Sequence, residues 1–184
     1  MIKNKENILN VIVALACILT FIYFVYDYKS HPTVISNPCK TIGVCTEYSS
    51  KAKGTDIDLF YFVKNKKYKI SMSAQGCVML GQKYNILYDS INPSNADVLI
   101  KEPVFTRDQI TRITYARISN LGKTFFSNKA EDVSFDYIIN GQFYDTYQYS
   151  DWDKYNVKVG DKCELEYLVE NPAICIIHLD KKVK

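Results

Sequence analysis

One short pattern occurs twice in this sequence, and both copies follow a single long apolar segment. The first copy consists of five pieces: Phe60–Val63, Asn65–Tyr68, Gly81, Tyr84–Tyr88 and Asn92-Pro93. The second copy has the corresponding pieces in the same order: Phe135–Ile138, Asn140–Phe143, Gly160, Cys163–Tyr167 and Asn171-Pro172. An internal repeat constrains the fold strongly, because each copy must form the same small structural unit. The sequence therefore predicts a duplicated unit, with repeat 1 at 41–105 and repeat 2 at 106–184.

Alternation of apolar and polar residues predicts short strands in both repeats. In repeat 2 the apolar residues at every second position are Val133, Phe135, Tyr137 and Ile139, then Cys163, Leu165 and Tyr167. This period of two is typical of a strand with one wet face. The chain also contains 15 Tyr, and aromatic residues make up 14% of it, which favours strands over helices.

Turn signals separate these predicted strands. Asn140-Gly141 is typical of a type I′ hairpin, and Asn65-Lys66 is predicted to form the matching turn in repeat 1. Gly81 and Gly160 each precede a strand, where we expect a positive φ that other residues avoid. The fold class predicted from these features is all-β, with two tandem small β-barrel or sandwich repeats of about five strands each.

A membrane anchor is predicted ahead of the repeats. Ile8–Tyr26 contains only Asn10 and Thr20 as strongly polar residues, and a helix of that length covers roughly 28 Å, enough to cross a bilayer. We expect a transmembrane helix at 8–28. One alternative is a cleaved signal peptide, although its apolar region is usually shorter. Another is a lipoprotein processed at Cys17.

Charge and composition predict the arrangement around this helix. Lys3, Lys5 and the terminal amine precede the helix, so the positive-inside rule favours a cytoplasmic tail at 1–7. Residues 29–40 contain two prolines and form a predicted stalk. With the N-terminus in the cytoplasm, the repeats beyond this stalk are expected in the periplasm or outside the cell. The cytoplasmic membrane is the expected location, with the lipid bilayer as one partner.

The order of motifs resembles that of a bacterial family of unknown function. The shared order is an aromatic strand, an Asn-Gly-type hairpin, a glycine, a strand ending in Tyr, Asn-Pro, and a small aliphatic strand. The resemblance covers Phe60–Ile100 and Phe135–Leu179. It implies membrane-associated proteins with small extracytoplasmic β-domains, and it implies no catalytic residue.

Five cysteines lie outside the anchor, and an odd number cannot all pair within one chain. Cys163 and Cys175 fall on strands that the Asn171-Pro172 turn brings side by side, so a cross-strand disulfide is one hypothesis. Core packing of both thiols is the alternative, because repeat 1 has Tyr84 and Ala96 at the same positions.

No residue pattern in the sequence indicates a cofactor or a metal. No Cys-x-x-Cys pair or metal-binding histidine spacing occurs, and His31 and His178 lie far apart. The net charge of +3 is modest and argues against nucleic-acid binding. Asp56/Asp58 and Asp151/Asp153 are paired acids, which suit acid–base chemistry or calcium but more often face solvent.

The only tryptophan, Trp152, lies in a loop together with Tyr149 and Tyr155, and this loop is the predicted contact site for a protein partner. Packing of the loop on its own repeat is the alternative. The sequence favours a non-catalytic protein-interaction module of the cell envelope. A small envelope enzyme acting on cell-wall or sugar substrates and a structural spacer are the other two hypotheses.

Overall fold

The computed structural model describes residues 17–20, 35–51, 54–73, 78–123 and 130–183. The chain divides into two compact units, Met1–Ser36 and Asn37–Lys184. Within the first unit residues 17–20 are helical, and Thr20 Oγ1 donates to the Cys17 carbonyl at 3.0 Å.

The predicted anchor and tail fall almost entirely outside the described residues. Of the span at 8–28, only 17–20 is described, and the tail at 1–7 and the stalk as far as residue 34 are not. Within the described part of the chain, no helix combines the length and the apolar character that a membrane span requires.

The second unit contains two five-stranded antiparallel sheets, which confirms the all-β prediction. The strands of the first sheet are β1 (Pro38–Lys51), β2 (Gly54–Val63), β3 (Lys66–Ser73), β4 (Lys83–Asp89) and β5 (Ala96–Val104). Those of the second sheet are β6 (Thr111–Lys123), β7 (Ala130–Ile139), β8 (Gln142–Tyr149), β9 (Lys162–Leu168) and β10 (Cys175–Lys182). A 3₁₀ helix at Trp152–Tyr155 follows β8.

Both sheets have the same strand order along the chain. The first runs β3-β2-β1-β4-β5, and the second runs β8-β7-β6-β9-β10 when taken in the matching direction. In each sheet the fourth strand returns to lie beside the first, which is a Greek-key connection. The first strand is the longest, because it pairs with the fourth strand near its start and with the second strand after that. Each first strand also carries a bulge, after Cys45 and after Ile118.

Equivalent backbone contacts occur at the same place in both sheets. The amide of Cys45 donates to the Gln82 carbonyl at 2.9 Å, as the amide of Ile118 does to the Asp161 carbonyl. The predicted positive φ is also present before the fourth strand of each sheet, at 86° for Gly81 and 92° for Gly160.

The hairpin turns shift the alignment of the two copies by one residue. Lys64 and Asn65 have φ values of 49° and 65°, and Asn140 and Gly141 have 51° and 81°. The turn predicted at Asn65-Lys66 therefore lies at Lys64-Asn65, and Asn65 corresponds to Gly141 rather than to Asn140. The sequence prediction aligned Asn65 with Asn140. This alignment is ambiguous because asparagine tolerates the left-handed conformation at both turn positions. A one-residue slip exchanges the two faces of a strand, so this correction decides which residues are equivalent.

With the corrected register, Tyr61 corresponds to Tyr137. Both tyrosines are buried, and each hydroxyl donates to the carbonyl of the proline in its own Asn-Pro turn, Pro93 in repeat 1 and Pro172 in repeat 2. The predicted inward residues of β7 and β9 are also buried. Each repeat therefore has its own apolar core, fixed to the turn between the fourth and fifth strands.

The two sheets contact each other through β5 and β8. Tyr147 and Tyr149 of β8 pack against the core of repeat 1, and Lys101 of β5 forms an ion pair with Asp151. A cavity of about 10 Å³ between the repeats is lined by Tyr84 and the two β8 tyrosines, among other residues. That volume is close to the minimum that holds one water.

Candidate functional site

Four apolar side chains are exposed together on the outside of the second sheet. They are Ile113, Tyr115, Ile138 and Phe143, and each is 58–63% exposed. We call this group the outer apolar face. An antiparallel sheet with one buried face usually presents polar residues to water on the other, so a contiguous apolar group there indicates a contact surface.

Strand register brings these side chains together. Ile138 and Phe143 are direct partners across β7 and β8. The pairing of β6 with β7 ends at Arg117 and Asp136, and extending that register by two residues puts Tyr115 at the level of Ile138 on the same side of the sheet. Direct cross-strand partners have Cβ atoms about 5 Å apart, which is near enough for their side chains to form one surface.

Charged and polar side chains surround the outer apolar face. Thr111 Oγ1 donates to one oxygen of Glu166 at 2.6 Å, and His178 Nε2 lies 3.5 Å from the other oxygen. Beside them Lys181 Nζ lies 2.5 Å from Glu164, and at the other border Arg117 pairs with Asp136 at 2.9 Å. An apolar centre with a hydrogen-bonded polar rim is the usual anatomy of a protein–protein interface.

The polar rim is not arranged as a nucleophilic site. Nucleophilic catalysis by a hydroxyl needs a base that takes the hydroxyl proton and is itself oriented by a third group. Here the Glu166 carboxylate lies between Thr111 and His178, so the histidine contacts the acid and not the hydroxyl. Over the ranges that the structure describes, no group of three or more His, Cys, Asp or Glu side chains is placed to hold a metal ion.

Repeat 1 has a related but more polar surface at the equivalent place. Its residues Ile42 and Phe62 correspond to Tyr115 and Ile138 and line a hollow of about 440 Å³. Lys40 and Asn85 line the same hollow, and both contact Glu102, at 3.0 Å and 3.1 Å. The two repeats therefore both expose apolar residues here, but within the described residues only repeat 2 extends them over three strands.

The residues predicted to contact a partner do not form one surface. Trp152 Nε1 donates to the Gly122 carbonyl at 2.9 Å, and its ring packs against the core of repeat 2. Tyr149 packs against the core of repeat 1. Of the three, only Tyr155 is exposed. Packing of this loop, which was the alternative to partner contact, accounts for two of the three side chains.

Cys163 and Cys175 lie at opposite ends of the β9–β10 hairpin, and both are free thiols. Cys175 is opposite Tyr167, four residues along β9 from Cys163, which corresponds to about 13 Å. A disulfide needs Cα atoms no more than about 7 Å apart, so this register corrects the hypothesis of a cross-strand bridge. The shared turn brings the strands together but does not align these two positions.

The buried thiols have the properties of packing residues. Burial raises the pKa of Cys45 to about 11 and that of Cys175 to about 11. Burial also raises the pKa of the Tyr137 hydroxyl, which contacts Cys175 Sγ at 3.4 Å. Protonated thiols are poor nucleophiles, so these groups are inert at neutral pH.

Both pairs of acids noted in the sequence include a member with a structural contact. Asp58 is buried and binds Lys69 Nζ at 2.6 Å and Ser71 Oγ at 2.5 Å. Asp151 binds Lys101 and Lys154, and these hydrogen bonds lower its pKa to about 2. A carboxylate held ionised by lysines is a weak general acid or base at neutral pH.

The outer apolar face was missed by the sequence analysis, although the sequence contains a signal for it. The alternation that identifies inward residues also identifies outward ones, and Tyr115 and Ile138 are apolar at outward positions. Exposed apolar residues at outward positions are the sign of a contact surface. Their grouping depends on which strands are neighbours, and the Greek-key order that decides this was not predicted.

Comparison of the sequence with protein-family models gave no match. Comparison with curated proteins gave none either.

Proposed function

We propose that this chain is a single-pass protein of a bacterial cytoplasmic membrane whose duplicated β-module binds a protein partner without catalysing a reaction. The N-terminus lies in the cytoplasm, and the repeats lie in the periplasm or outside the cell. The resemblance described above supports membership of a family of membrane-anchored proteins with small extracytoplasmic β-domains. The length and apolar character of 8–28 support the anchor.

Each repeat is proposed to be a small, partly open barrel. The Greek-key strand order and the first strand shared between two partners support this in both repeats, and in repeat 1 so does the close approach of β3 and β5, which do not pair. A barrel of this size is filled by its own side chains. Partner recognition therefore falls to its outer surface.

The outer apolar face carries the proposal of a protein partner. It presents two aromatic rings and two branched aliphatic side chains beside a rim of charged groups. Buried aromatic residues provide much of the binding energy at protein interfaces, and charged rims contribute more to specificity and association rate. Among the described residues of repeat 1, no equivalent array of apolar side chains faces outward.

Site-specific photocrosslinking in cells tests the binding proposal. A benzoylphenylalanine at Ile138 should give one adduct of defined mass under ultraviolet light. Adding Y115K and F143K should remove that adduct, because two charges in the apolar centre cannot be buried without a large desolvation cost. The same photoreactive residue at Val159, which is equally exposed but lies in a loop of repeat 2, is the matched control and should give no adduct.

Two outcomes would contradict the binding proposal. One is equal crosslinking from positions 138 and 159. The other is an adduct from position 138 that persists after both lysine substitutions. The lysine variants should keep the melting temperature of the parent chain, because exposed substitutions usually change stability by less than about 0.5 kcal/mol.

Membrane fractionation and protease accessibility test the anchor separately. The chain should remain in the membrane after alkaline extraction, and deletion of 8–28 should release it. Protease added to intact spheroplasts should reach residues beyond 29. Protection that ends only on lysis would reverse the proposed orientation, and release of the full chain by alkali would remove the anchor.

A further inference from the structure

The β2–β3 hairpin of repeat 1, Phe60–Lys69, differs from every other hairpin tip in the described residues by its charge. It contains Lys64, Lys66, Lys67 and Lys69 and no acidic residue. Asp58 binds Lys69 at 2.6 Å, which leaves three exposed lysines around the turn. We call this segment the basic hairpin.

Aromatic side chains accompany these lysines. Phe62 is 58% exposed and points outward from β2, next to the turn. Lys67 Nζ lies 3.6 Å from the centroid of the Phe60 ring. Lysines interleaved with exposed aromatic rings suit the headgroup region of a bilayer, where phosphates attract the ammonium groups and rings enter the interface.

Strand register places the basic hairpin at the end of the sheet where β1 begins. Gly43 of β1 lies opposite Tyr61, and the strands are antiparallel, so β2 runs towards the start of β1. Thr41 Oγ1 still reaches the Phe62 carbonyl at 3.3 Å, only three residues after β1 begins at Pro38. The turn at Lys64-Asn65 therefore lies near the point where the chain enters the sheet.

The length of the connecting chain limits how far this end can be from the membrane. Only residues 29–37 separate the predicted span from β1, and nine extended residues cover at most about 32 Å. This step rests on the proposed membrane anchor. With the anchor in place, the end of the first sheet that carries the basic hairpin stays within that distance of the bilayer.

The equivalent hairpin of repeat 2 provides an internal comparison. Asn140 corresponds to Lys64, Gln142 to Lys66 and Phe143 to Lys67, so the tip of that hairpin has the same turn geometry without lysine, and its strands carry Asp136 and Asp145. The turn therefore does not require lysine. We propose that the basic hairpin docks on anionic phospholipid headgroups of the membrane that holds the N-terminal segment, and so fixes repeat 1 against the bilayer surface.

Tryptophan quenching in vesicles tests this docking with the full chain. F62W and, as the matched control, I138W are reconstituted into vesicles of brominated phosphatidylcholine, with or without brominated phosphatidylglycerol. The indole introduced by F62W should shift its emission to the blue and be quenched in the phosphatidylglycerol vesicles. The indole introduced by I138W and the native Trp152 should be unaffected, because both belong to repeat 2.

Removing two lysines from the basic hairpin should reduce the quenching of the indole introduced by F62W. K64N with K66Q gives repeat 1 the residues that repeat 2 uses at the same turn positions, so the hairpin should still fold. Each lysine near an anionic surface strengthens association roughly fivefold, so the double variant should weaken docking about 25-fold. High salt should weaken docking of the unaltered hairpin in the same way, because it screens exposed charges.

The outcomes separate docking from anchoring. Flotation of the chain with phosphatidylcholine vesicles reports the anchor alone. An F62W chain that floats while its introduced indole stays unquenched in phosphatidylglycerol vesicles overturns the docking proposal and keeps the anchor. Quenching of that indole that is equal in both lipids and insensitive to salt also overturns it. A chain that floats only with phosphatidylglycerol vesicles, with the indole at position 62 quenched, supports docking and overturns the anchor.

Discussion

At equivalent positions on their third strands, repeat 1 carries Ser71 and Ser73 where repeat 2 carries Tyr147 and Tyr149. Ser71 binds the buried Asp58, whereas the two tyrosines pack against the core of the other repeat. The inward positions of the two sheets, by contrast, are filled by apolar residues in both copies. Residues that are alike in the two repeats therefore build the module, whereas residues that differ make the contacts that are particular to each repeat.

The same comparison holds at the hairpin tips. Repeat 1 has lysines beside one exposed aromatic ring, and repeat 2 has uncharged residues beside a larger apolar surface. Because turn geometry is the same in both, these differences are not needed for folding. We infer that the outer surfaces diverged after duplication according to what each one contacts.

The largest effect is expected from matched truncations in the two cores. Ile86 and Leu165 occupy equivalent positions on β4 and β9, and both are fully buried. I86A and L165A should each lower the free energy of unfolding by about 3 kcal/mol, through lost burial and the cavity left behind. Urea denaturation followed by circular dichroism measures this.

The shape of those transitions also tests the comparison. The repeats share a packed contact, so we expect one cooperative transition for both variants. Two separate transitions, with only one of them shifted by each substitution, would show that the repeats fold independently.

The next effect is expected at Trp152. W152A should lower the free energy of unfolding by about 2–3 kcal/mol, because it removes a partly buried ring and leaves the Gly122 carbonyl without its 2.9 Å donor. Y155A, three residues away and exposed, is the control and should change stability by less than about 0.5 kcal/mol. Unchanged stability of W152A would restore the partner-contact hypothesis for this ring.

A smaller loss of folding free energy is expected when Tyr147 and Tyr149 of repeat 2, which contact repeat 1, are replaced by the serines that repeat 1 has at the same positions. Y147S with Y149S should cost about 2 kcal/mol, because two half-buried rings lose their contact with the core of repeat 1. Y115S removes a similar ring from the outer apolar face and should cost little. Equal losses from Y147S/Y149S and from Y115S would mean that β8 does not hold the repeats together.

Much of the fold follows from residue pattern alone, because inward positions repeat with a period of two and glycine is needed where φ is positive. Tyr137, Leu165 and Gly160 were assigned in this way. The one-residue error at the hairpin arose because asparagine fits both turn positions. The strand order could not be predicted, since pairing between β1 and β4 depends on contacts distant in sequence.

The candidate site was also hard to predict from the sequence, because it depends on which strands are neighbours. Tyr115, Ile138 and Phe143 lie on three strands, and only their register makes them neighbours. Trp152 is predicted to contact a partner because it is the only tryptophan and lies in a loop, but a ring in a loop can turn towards its own core. Which way it turns is decided by the Gly122 carbonyl, 30 residues away in sequence.

The smallest effect is expected at the ion pair that links the repeats. Lysine hydrogen bonds lower the pKa of Asp151 to about 2, from an ordinary value of 3.8. A lowered pKa in the folded state means that the stabilisation is present above about pH 4 and is lost as the pH falls towards 2. Both partners are more than one-third exposed, so solvent screening limits D151N to a loss of about 0.2–1 kcal/mol at pH 7. D153N keeps both lysine contacts of Asp151 and is the control. The stability difference between pH 7 and pH 2, measured from unfolding curves, should be smaller for D151N than for the parent chain or D153N. An equal pH dependence in all three would show that Asp151 contributes nothing to the contact between the repeats.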